Sequence, residues 1–228
     1  MKAVRMTVVL GLLACCAAVQ AGTLQIVGMG AGSFNVPVTS LQEARFTATT
    51  RQQYDYSCGS AAVATLLTFH YGYPVSEQAV FEDMFARGDQ DKIRKEGFSL
   101  LDIKEYLGRI GFVADAFELP LVKLMESGLP ALVLVSDKGY NHFVVIKGMK
   151  DGRVLIGDPS SGTRAMAREN FDSIWHTRLL FVIHNKQELA RFNSSAEWQV
   201  APRAPLASGV AADSLPELPW PKLGPGDY

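Results

Sequence analysis

The feature that most constrains the fold of this chain is a change of pattern near residue 131. From Ala131 onward, four short apolar runs rich in β-branched residues are separated by turn residues, and they are ALVLVS, HFVVIKGM, RVLIGD and RLLFVIH. Such runs are typical of short β-strands that pair along the chain. The preceding residues carry mostly helical patterns. Helices first and strands second predict an α+β domain, with N-terminal helices packed on an antiparallel sheet.

Three helices are predicted ahead of these strands, each with a start or stop signal. The first runs from Cys58 to about Tyr71 and is closed by Gly72, while Ser76 and Ser99 cap the second and third. The stretch GDQDKIRKEG between the second and third helices is predicted to be a polar loop. Two further elements are expected before the sheet, a strand at FVADAFEL and a short helix at LVKLMES.

Residues 1–21 are predicted to be a secretory signal peptide. Lys2 and Arg5 precede an apolar run of about 13 residues, and small residues follow at the expected cleavage site. A transmembrane anchor is the first alternative, but a spanning helix needs about 20 apolar residues. A lipoprotein anchored through Cys15 is the second. Export predicts a periplasmic protein that does not span the membrane once the signal is removed.

The rest of the chain divides into three predicted regions. Residues 22–50 are expected to form an N-terminal extended segment, because they are rich in β-branched and turn-forming residues. Residues 51–185 hold the predicted helices and strands and are expected to form the main domain. Residues 186–228 are rich in Pro and Ala and are expected to be a flexible or loosely docked tail. The formal net charge of −1 gives no indication of nucleic-acid binding.

Cys58 is the one cysteine that remains once Cys15 and Cys16 are removed with the signal peptide. An exported protein enters an oxidising compartment, where cysteines usually pair. An unpaired cysteine there is either buried and inert or reactive. Cys58 opens the first predicted helix, and a helix N-terminus lowers the pKa of a thiol. The sequence therefore offers Cys58 as a nucleophile, with a buried core cysteine as the alternative.

A base for Cys58 must come from one of four histidines. His70 lies about three turns along the same helix, about 18 Å away, and cannot reach the thiol. His176 follows a Trp in a turn and His184 ends a strand, so both are predicted to be surface residues. His142 opens the strand HFVVIKGM, and its role depends on whether a third group supports it.

Asp158 is the candidate for that third group. The strands HFVVIKGM and RVLIGD are predicted to form a hairpin closed by a three-residue loop, residues 150–152. This loop would place residue 144 opposite residue 158, so that His142 and Asp158 share a face within side-chain reach. A two-residue turn would put them on opposite faces. An acid in this position orients the imidazole, although Asp158 also begins a strong turn sequence, Asp-Pro-Ser-Ser-Gly.

A side-chain amide just before Cys58 would complete the site. Such an amide can donate a hydrogen bond to a developing oxyanion, together with the Cys58 backbone N–H. Gln52 and Gln53 both fit, and their spacing from Cys58 does not decide between them. The histidines are scattered and show no zinc-ligand spacing, so no metal or other cofactor is expected.

These residues together resemble the C39 family of papain-like cysteine peptidases over about residues 45–185. The resemblance implies a papain-like cysteine peptidase fold without a cofactor. It also implies a role for each residue, with Gln52 as oxyanion donor, Cys58 as nucleophile, His142 as base and Asp158 as orienting acid. The sequence departs from many family members at Ser57, where they carry an acidic residue.

The resemblance also implies a biological setting. Well-known family members lie at the front of ABC transporters and clip leader peptides after a double glycine. This chain carries its own predicted signal peptide, and it is more similar to the stand-alone exported members of functional-amyloid secretion systems. An exported cysteine endopeptidase is implied, cutting a secreted partner, with a Gly-Gly preference and components of an amyloid secretion system as partners. The alternatives are a non-cleaving peptide-binding accessory factor, a thiol acyltransferase or amidase, and a structural secretion factor with a vestigial site.

Overall fold

The computed structural model describes four stretches of the chain, residues 23–27, 33–37, 39–137 and 139–202. The predicted signal peptide and Cys15 lie outside the described residues, as do residues 203–228 of the predicted tail. The chain divides into two compact units, residues 1–40 and residues 41–228. None of the helices within the described stretches combines the length and the hydropathy that crossing a membrane requires.

The first unit contains an antiparallel hairpin formed by β1 (Thr23–Val27) and β2 (Ser33–Pro37). These strands fall within the extended segment predicted over residues 22–50. The end of that segment differs, because Leu41–Ala44 form a short helix, α1, at the start of the second unit.

The second unit has the predicted α+β architecture, with helices ahead of an antiparallel sheet. Its helices after α1 are α2 (Cys58–Thr65), α3 (Glu77–Arg87), α4 (Gln90–Glu96), α5 (Leu100–Arg109), α6 (Leu121–Ser127), α7 (Arg168–Ile174) and α8 (Ser195–Gln199). Its strands are β3 (Ala114–Glu118), β4 (Ala131–Asp137), β5 (Tyr140–Lys150), β6 (Arg153–Asp158), β7 (Gly162–Ala167) and β8 (Leu179–Ile183). The six strands form one sheet in the order β3-β8-β4-β5-β6-β7, and all neighbours are antiparallel.

Helix α2 is buried along its whole length. Most of its side chains are small, as the sequence CGSAAVAT shows, so α3 and β5 can pack closely against it. The chain continues into a π-helical turn, Leu66–His70, and leaves the helix at Gly72, which has a φ of 63°. The first predicted helix is therefore correct in extent but changes its hydrogen-bond pattern midway. Its N-terminal residue, Cys58, is held on a rigid, central element.

The sheet is covered by helices on both faces. Phe143 and Val145 of β5 belong to one apolar cluster, which includes residues of α2, α3 and α5. Val144 and Ile146 belong to a second cluster with residues of α6 and α7. Complete burial of each such aliphatic side chain contributes roughly 1.5–3 kcal/mol to folding. Strand β5 is thus fixed from both sides.

The stretch GDQDKIRKEG is a helix, α4, and the prediction of a polar loop is wrong. The Asp89 side chain accepts a hydrogen bond from the Lys92 N–H at 3.1 Å and caps the helix. Ile93 is buried and anchors it, and Gly97 ends it with a φ of 78°. One apolar residue in ten leaves no periodicity to recognise, although the cap and the terminal glycine were visible in the sequence.

The described part of the predicted tail is folded rather than flexible. Residues 187–189 form a 3₁₀ turn, and α8 follows with Glu197 buried. The Pro- and Ala-rich composition that suggested a tail begins only near residue 201. Residues 187–202 therefore carry regular elements within the second unit, and the rest of the predicted tail, residues 203–228, lies outside the described residues.

Candidate active site

A cavity of about 930 Å³ lies where the start of α2 meets the start of β5. Cys58 lines it on the α2 side, and residues 94–100, from the end of α4 to the start of α5, form a neighbouring wall. Residues 140–143 of β5 line the other side, and they include His142. Two of the four predicted catalytic residues therefore share one cavity, although they are 84 positions apart in sequence (142 − 58).

The Cys58 thiol is buried and not engaged in a disulfide. Burial raises the pKa of this thiol, and backbone hydrogen bonds at Phe143 and Gly59 offset only part of that effect. The backbone at the helix N-terminus, at Cys58 and Gly59, lowers the pKa as the sequence argument expected, but desolvation outweighs this effect and the net direction is upward. The resting thiol is accordingly protonated at neutral pH.

Ser57, the residue before the nucleophile candidate, closes a tight turn. Its hydroxyl accepts a hydrogen bond from the Tyr54 N–H at 3.1 Å and lies 3.0 Å from the Tyr54 carbonyl, to which it donates. The residue is fully buried. A carboxylate could not donate to that carbonyl, so serine at position 57 suits a loop in which the hydroxyl serves as both donor and acceptor.

His142 and Asp158 lie side by side. The distance from His142 Nε2 to Asp158 Oδ2 is 3.3 Å, and the two residues are 7% and 2% exposed. Burial alone raises the pKa of Asp158, but hydrogen bonds from His142 and Ser160 outweigh it and hold that pKa well below its usual range. Asp158 is therefore a carboxylate at neutral pH and can orient the imidazole.

The hairpin places His142 and Asp158 on one face, but its turn is shorter than predicted. Asp151 and Gly152 form a two-residue turn, with φ values of 53° and 70°, and Lys150 pairs with Arg153. The predicted three-residue loop is wrong.

A β-bulge at Lys147 compensates for the shorter turn. Ile146 pairs with Ile156 while Gly148 pairs with Leu155, so Lys147 is an extra residue in β5. Beyond the bulge Val145 pairs with Gly157, and the same register places residue 144 opposite residue 158. His142 and Asp158 therefore share a face, as the sequence argument required.

The imidazole of His142 has one nitrogen committed and one available. In the neutral ring, an Nε2–H that donates to Asp158 leaves Nδ1 as an acceptor. Nδ1 is buried and has no hydrogen-bond partner among the residues that the structure describes, so the Cys58 thiol is not bonded to it. The atom suited to receive the thiol proton is thus Nδ1.

Gln52 is held beside the turn that contains Asp158. Its backbone N–H donates to the Pro159 carbonyl at 3.1 Å, and its side-chain Nε2 donates to the Tyr54 carbonyl at 3.2 Å. Gln52 is half-buried and Gln53 is exposed. Neither glutamine lines the cavity. The contact with Pro159 favours Gln52, but an oxyanion would have to replace the Tyr54 carbonyl as the partner of its amide.

The other three histidines lie outside the cavity. His70 is buried, its Nδ1–H donates to the Arg191 carbonyl at 2.7 Å, and burial lowers its pKa to about 4. His184 pairs with Asp115 at 2.8 Å on the surface, and His176 is exposed.

Two residues of the site were missed by the sequence argument. Arg164 Nη2 lies 3.1 Å from Asp158 Oδ2, the same oxygen that faces His142. The Tyr140 ring stacks on the His142 ring at 5.7 Å, and its hydroxyl donates to the Asp55 carbonyl at 2.7 Å. Both residues could have been found from the alternation of side chains along a strand, in which every second residue lies on the same face. Tyr140 is two residues from His142. Arg164 pairs with Ile156, which is two residues from Asp158.

Within the described stretches, no three side chains of the His, Cys, Asp or Glu type lie close enough to share a metal ion. The arrangement instead combines a thiol, an imidazole with one available nitrogen and a carboxylate. These groups can perform acyl transfer by a nucleophilic mechanism.

Comparisons with known proteins agree with this chemistry. The sequence profile of the Peptidase C39 family matches residues 47–187. Two similar proteins are each named probable functional amyloid protease FapD. The one from Pseudomonas aeruginosa is 38% identical over 165 residues, which cover 72% of this chain and 73% of the relative. The one from Pseudomonas fluorescens is 38% identical over 157 residues, which cover 68% and 70%.

A search of solved structures found the peptidase domain of Streptococcus ComA, described as a bifunctional ABC transporter involved in a quorum-sensing pathway. It aligns with a TM-score of 0.49 and 25% sequence identity, and covers 60% of this chain and 97% of that domain.

Proposed function

Because the chain belongs to the peptidase C39 family, we propose that it is a cysteine endopeptidase with Cys58 as nucleophile, His142 as base and Asp158 as orienting acid. Gln52 is assigned the role of oxyanion donor. The observation that carries the proposal is the His142–Asp158 pair at 3.3 Å, in a cavity that His142 shares with Cys58.

The catalytic cycle follows from the free nitrogen of His142. Nδ1 accepts the proton of the Cys58 thiol as sulfur attacks the substrate carbonyl carbon, and the carbonyl oxygen becomes an oxyanion. The Cys58 N–H and the Gln52 amide donate to this oxyanion. His142 then gives its proton to the leaving amine, and a thioester remains. His142 activates a water molecule that hydrolyses the thioester and restores the thiol, while Asp158 stabilises the imidazolium.

In the free protein Cys58 is a neutral thiol. Burial raises the pKa of Cys58, and no hydrogen bond joins the thiol to Nδ1. Proton transfer is therefore expected to accompany substrate binding, when the peptide excludes water and brings the two side chains into contact.

The substrate assigned to this site is a segment of a secreted protein, with cleavage after Gly-Gly. Two relatives are named functional amyloid proteases, which supports a role in functional-amyloid secretion or assembly. Residues 1–21 would direct the chain to the periplasm, and a lipid anchor at Cys15 is the alternative. The cavity walls include the aromatic side chains of Tyr56, Phe98 and Phe143, which suit apolar residues near the cut bond.

Cleavage can be tested by incubating the purified protein with the secreted proteins of an amyloid operon and analysing the fragments by mass spectrometry. Wild type is expected to cut one of them, and Cys58→Ala and His142→Ala are expected not to. His176→Ala is the matched control, because His176 is exposed and lies outside the cavity. Equal cutting by wild type and Cys58→Ala would show that the assignment is wrong.

A non-cleaving peptide-binding factor is the second candidate, and the absence of a bond between the thiol and Nδ1 favours it. This function predicts that wild type and Cys58→Ala retain the same peptide intact and with equal affinity. A peptidase predicts that only Cys58→Ala yields a stable complex, since wild type releases products.

A further inference from the structure

The segment after the family match packs directly on the catalytic hairpin. We call residues 190–201 the strap, and the C39 match ends at residue 187. The Arg191 N–H donates to the His70 carbonyl at 2.9 Å, and Arg153 Nη2 donates to the Ala201 carbonyl at 3.0 Å. The strap is thus tied at one end to the helix of the nucleophile and at the other to β6.

In the middle of the strap, Asn193 binds the bulge in β5. Its N–H donates to the Lys147 carbonyl at 2.9 Å, and its Oδ1 accepts from the Met149 N–H at 2.7 Å. A bulge interrupts the strand ladder and leaves backbone groups in need of partners, which Asn193 supplies. Gly148 lies between these groups, and a Cβ there would be 2.4 Å from Asn193 Oδ1. The bulge and Asn193 are therefore complementary in shape and in hydrogen bonding.

The side chain of the bulged residue is held by a second strap residue. Lys147 is completely buried, and its Nζ lies 3.2 Å from Glu197 Oε1 and 2.6 Å from the Ala48 carbonyl. Its aliphatic part crosses Gly157, where a Cβ would be 3.0 Å from Lys147 Cδ. Gly157 directly precedes Asp158. The strap thus fixes both the backbone and the side chain of Lys147 beside the orienting acid.

The bulge determines whether the catalytic pair exists. The two-residue turn alone, continued without a bulge, would place residue 145 opposite residue 158. His142 would then be an odd number of residues from the position facing Asp158, and the two side chains would lie on opposite faces. With the bulge, residue 144 faces residue 158 and the side chains meet.

We propose that the strap, through Asn193 and Glu197, holds the bulge at Lys147 and thereby positions His142 against Asp158. Asn193 and Glu197 are positioning residues, since they act through the register of the hairpin and touch no substrate. The catalytic meaning of this proposal rests on the proposed peptidase function. The pairing of His142 with Asp158 does not, and it can be measured without a substrate.

The pairing can be read from the imidazole nitrogens by NMR of the full chain labelled with ¹⁵N-histidine. The spectra are recorded on the Cys58→Ala variant, so that no thiol proton contributes to the measurement. The sample is held at about pH 8, above the ordinary histidine pKa of about 6.5. In this background His142 is expected as a single Nε2–H tautomer. Asp158→Asn, added as a reference, removes the carboxylate and gives the spectrum of an unsupported ring.

Asn193→Gly is the decisive variant, because Asn193 has a φ of 60° that glycine tolerates while losing the side-chain acceptor. It is expected to lose the Nε2–H signature and to match the Asp158→Asn reference. Asn193→Asp keeps an acceptor for the Met149 N–H and is expected to keep the signature. Gln199→Ala, at an exposed position of α8, is the matched control and is expected to leave it unchanged.

Glu197→Gln provides a second route if Asn193→Gly does not fold, as judged by circular dichroism. It removes the charge that faces Lys147 and is expected to weaken the signature partially. An unchanged His142 spectrum in either folded variant overturns the proposal. Failure of the wild-type chain to cut any peptide would refute the proposed function alone, since the tautomer of His142 is observed independently of cleavage.

Discussion

Replacing Lys147 with methionine tests the buried charge cluster behind the catalytic hairpin. Methionine keeps much of the length and volume of the side chain but has no charge and no donor. Lys147 is 0% exposed, and the Glu197 side chain is 9% exposed. The substitution therefore removes the cation that faces the buried Glu197 carboxylate. Glu197 must then either stay charged in the interior or take up a proton.

The loss of unfolding free energy cannot exceed the cost of the second option, the protonation of Glu197, plus the loss of other Lys147 contacts. Burial already raises the pKa of Glu197 above its ordinary value of 4.5, and loss of Lys147 raises it further. Protonating a carboxyl with that ordinary pKa at pH 7 costs about 3.4 kcal/mol, at about 1.4 kcal/mol for each pH unit, and at pH 5 about 0.7 kcal/mol. The lost hydrogen bond to the Ala48 carbonyl adds about 1 kcal/mol at any pH.

The direction of the pH dependence follows from proton uptake. With the pKa of Glu197 higher in the folded state, the folded protein binds more protons than the unfolded one between that pKa and 4.5. Its stability therefore falls as pH rises through this window. His70, whose Nε2 lies 3.9 Å from Glu197 Oε1, acts in the same direction, because without Lys147 it can charge more easily and replace the missing cation at low pH.

Urea unfolding of the full chain at about pH 5, 6 and 7 measures the effect. Lys147→Met is expected to lower the unfolding free energy by about 4 kcal/mol at pH 7 and by about 1.5 kcal/mol at pH 5. The double variant Lys147→Met/Glu197→Gln is the control, since it contains no unpaired charge and its loss is expected to be nearly independent of pH. A single-variant loss that does not change between pH 5 and pH 7 would refute the reasoning.

Three further predictions concern residues in and around the catalytic hairpin. Asp158→Asn removes the carboxylate that supports His142 and is expected to lower kcat at least about 100-fold with the fold retained, as steady-state kinetics and circular dichroism would show. Arg164→Gln removes a cation that disfavours the imidazolium, so the acid limb of the pH–rate profile, where the base is protonated, should move to higher pH, while Arg164→Lys should leave it nearly in place. Gly157→Ala puts a Cβ 3.0 Å from Lys147 Cδ and 3.0 Å from Thr49 Oγ1 and is expected to lower the unfolding free energy by about 1–3 kcal/mol. An equal loss in a Lys147→Ala background, which has no atom at the Cδ position, would contradict the lysine contact as the cause.

The hairpin shows what parity arguments on sequence can and cannot predict. They correctly required residue 144 to face residue 158, a register that puts His142 and Asp158 on the same face of the sheet. They assigned the shift to the turn, whereas it arises at Lys147. A lysine followed by Gly148 inside an apolar run is a signal for a bulge, since glycine within a strand often marks one. The buried partner of that lysine, Glu197, is distant in sequence and has no local signal.

Composition misled the prediction at the C-terminus for a physical reason. Half of the twelve strap residues are apolar, and Phe192 packs against the second apolar cluster. The contacts that fix the strap on the hairpin are hydrogen bonds to β5 and the Lys147–Glu197 pair. Neither can be recognised without the three-dimensional contact. The start of α2 was predictable because Cys58 begins a run of small and apolar residues after a turn. The pKa of its thiol was not, since desolvation depends on what packs around it.

The contacts that hold the bulge also determine when the site can form. The Lys147 ammonium bonds to Ala48, 99 residues earlier in the chain, and Thr49 bonds to Thr163 across 114 residues. Contacts of such long range slow folding, because the intervening chain must be ordered before they can form. A nascent chain that has exposed Cys58 and His142 still lacks Asn193. The pairing of His142 with Asp158 is therefore expected to be among the last events of folding, after the strap has docked on the hairpin.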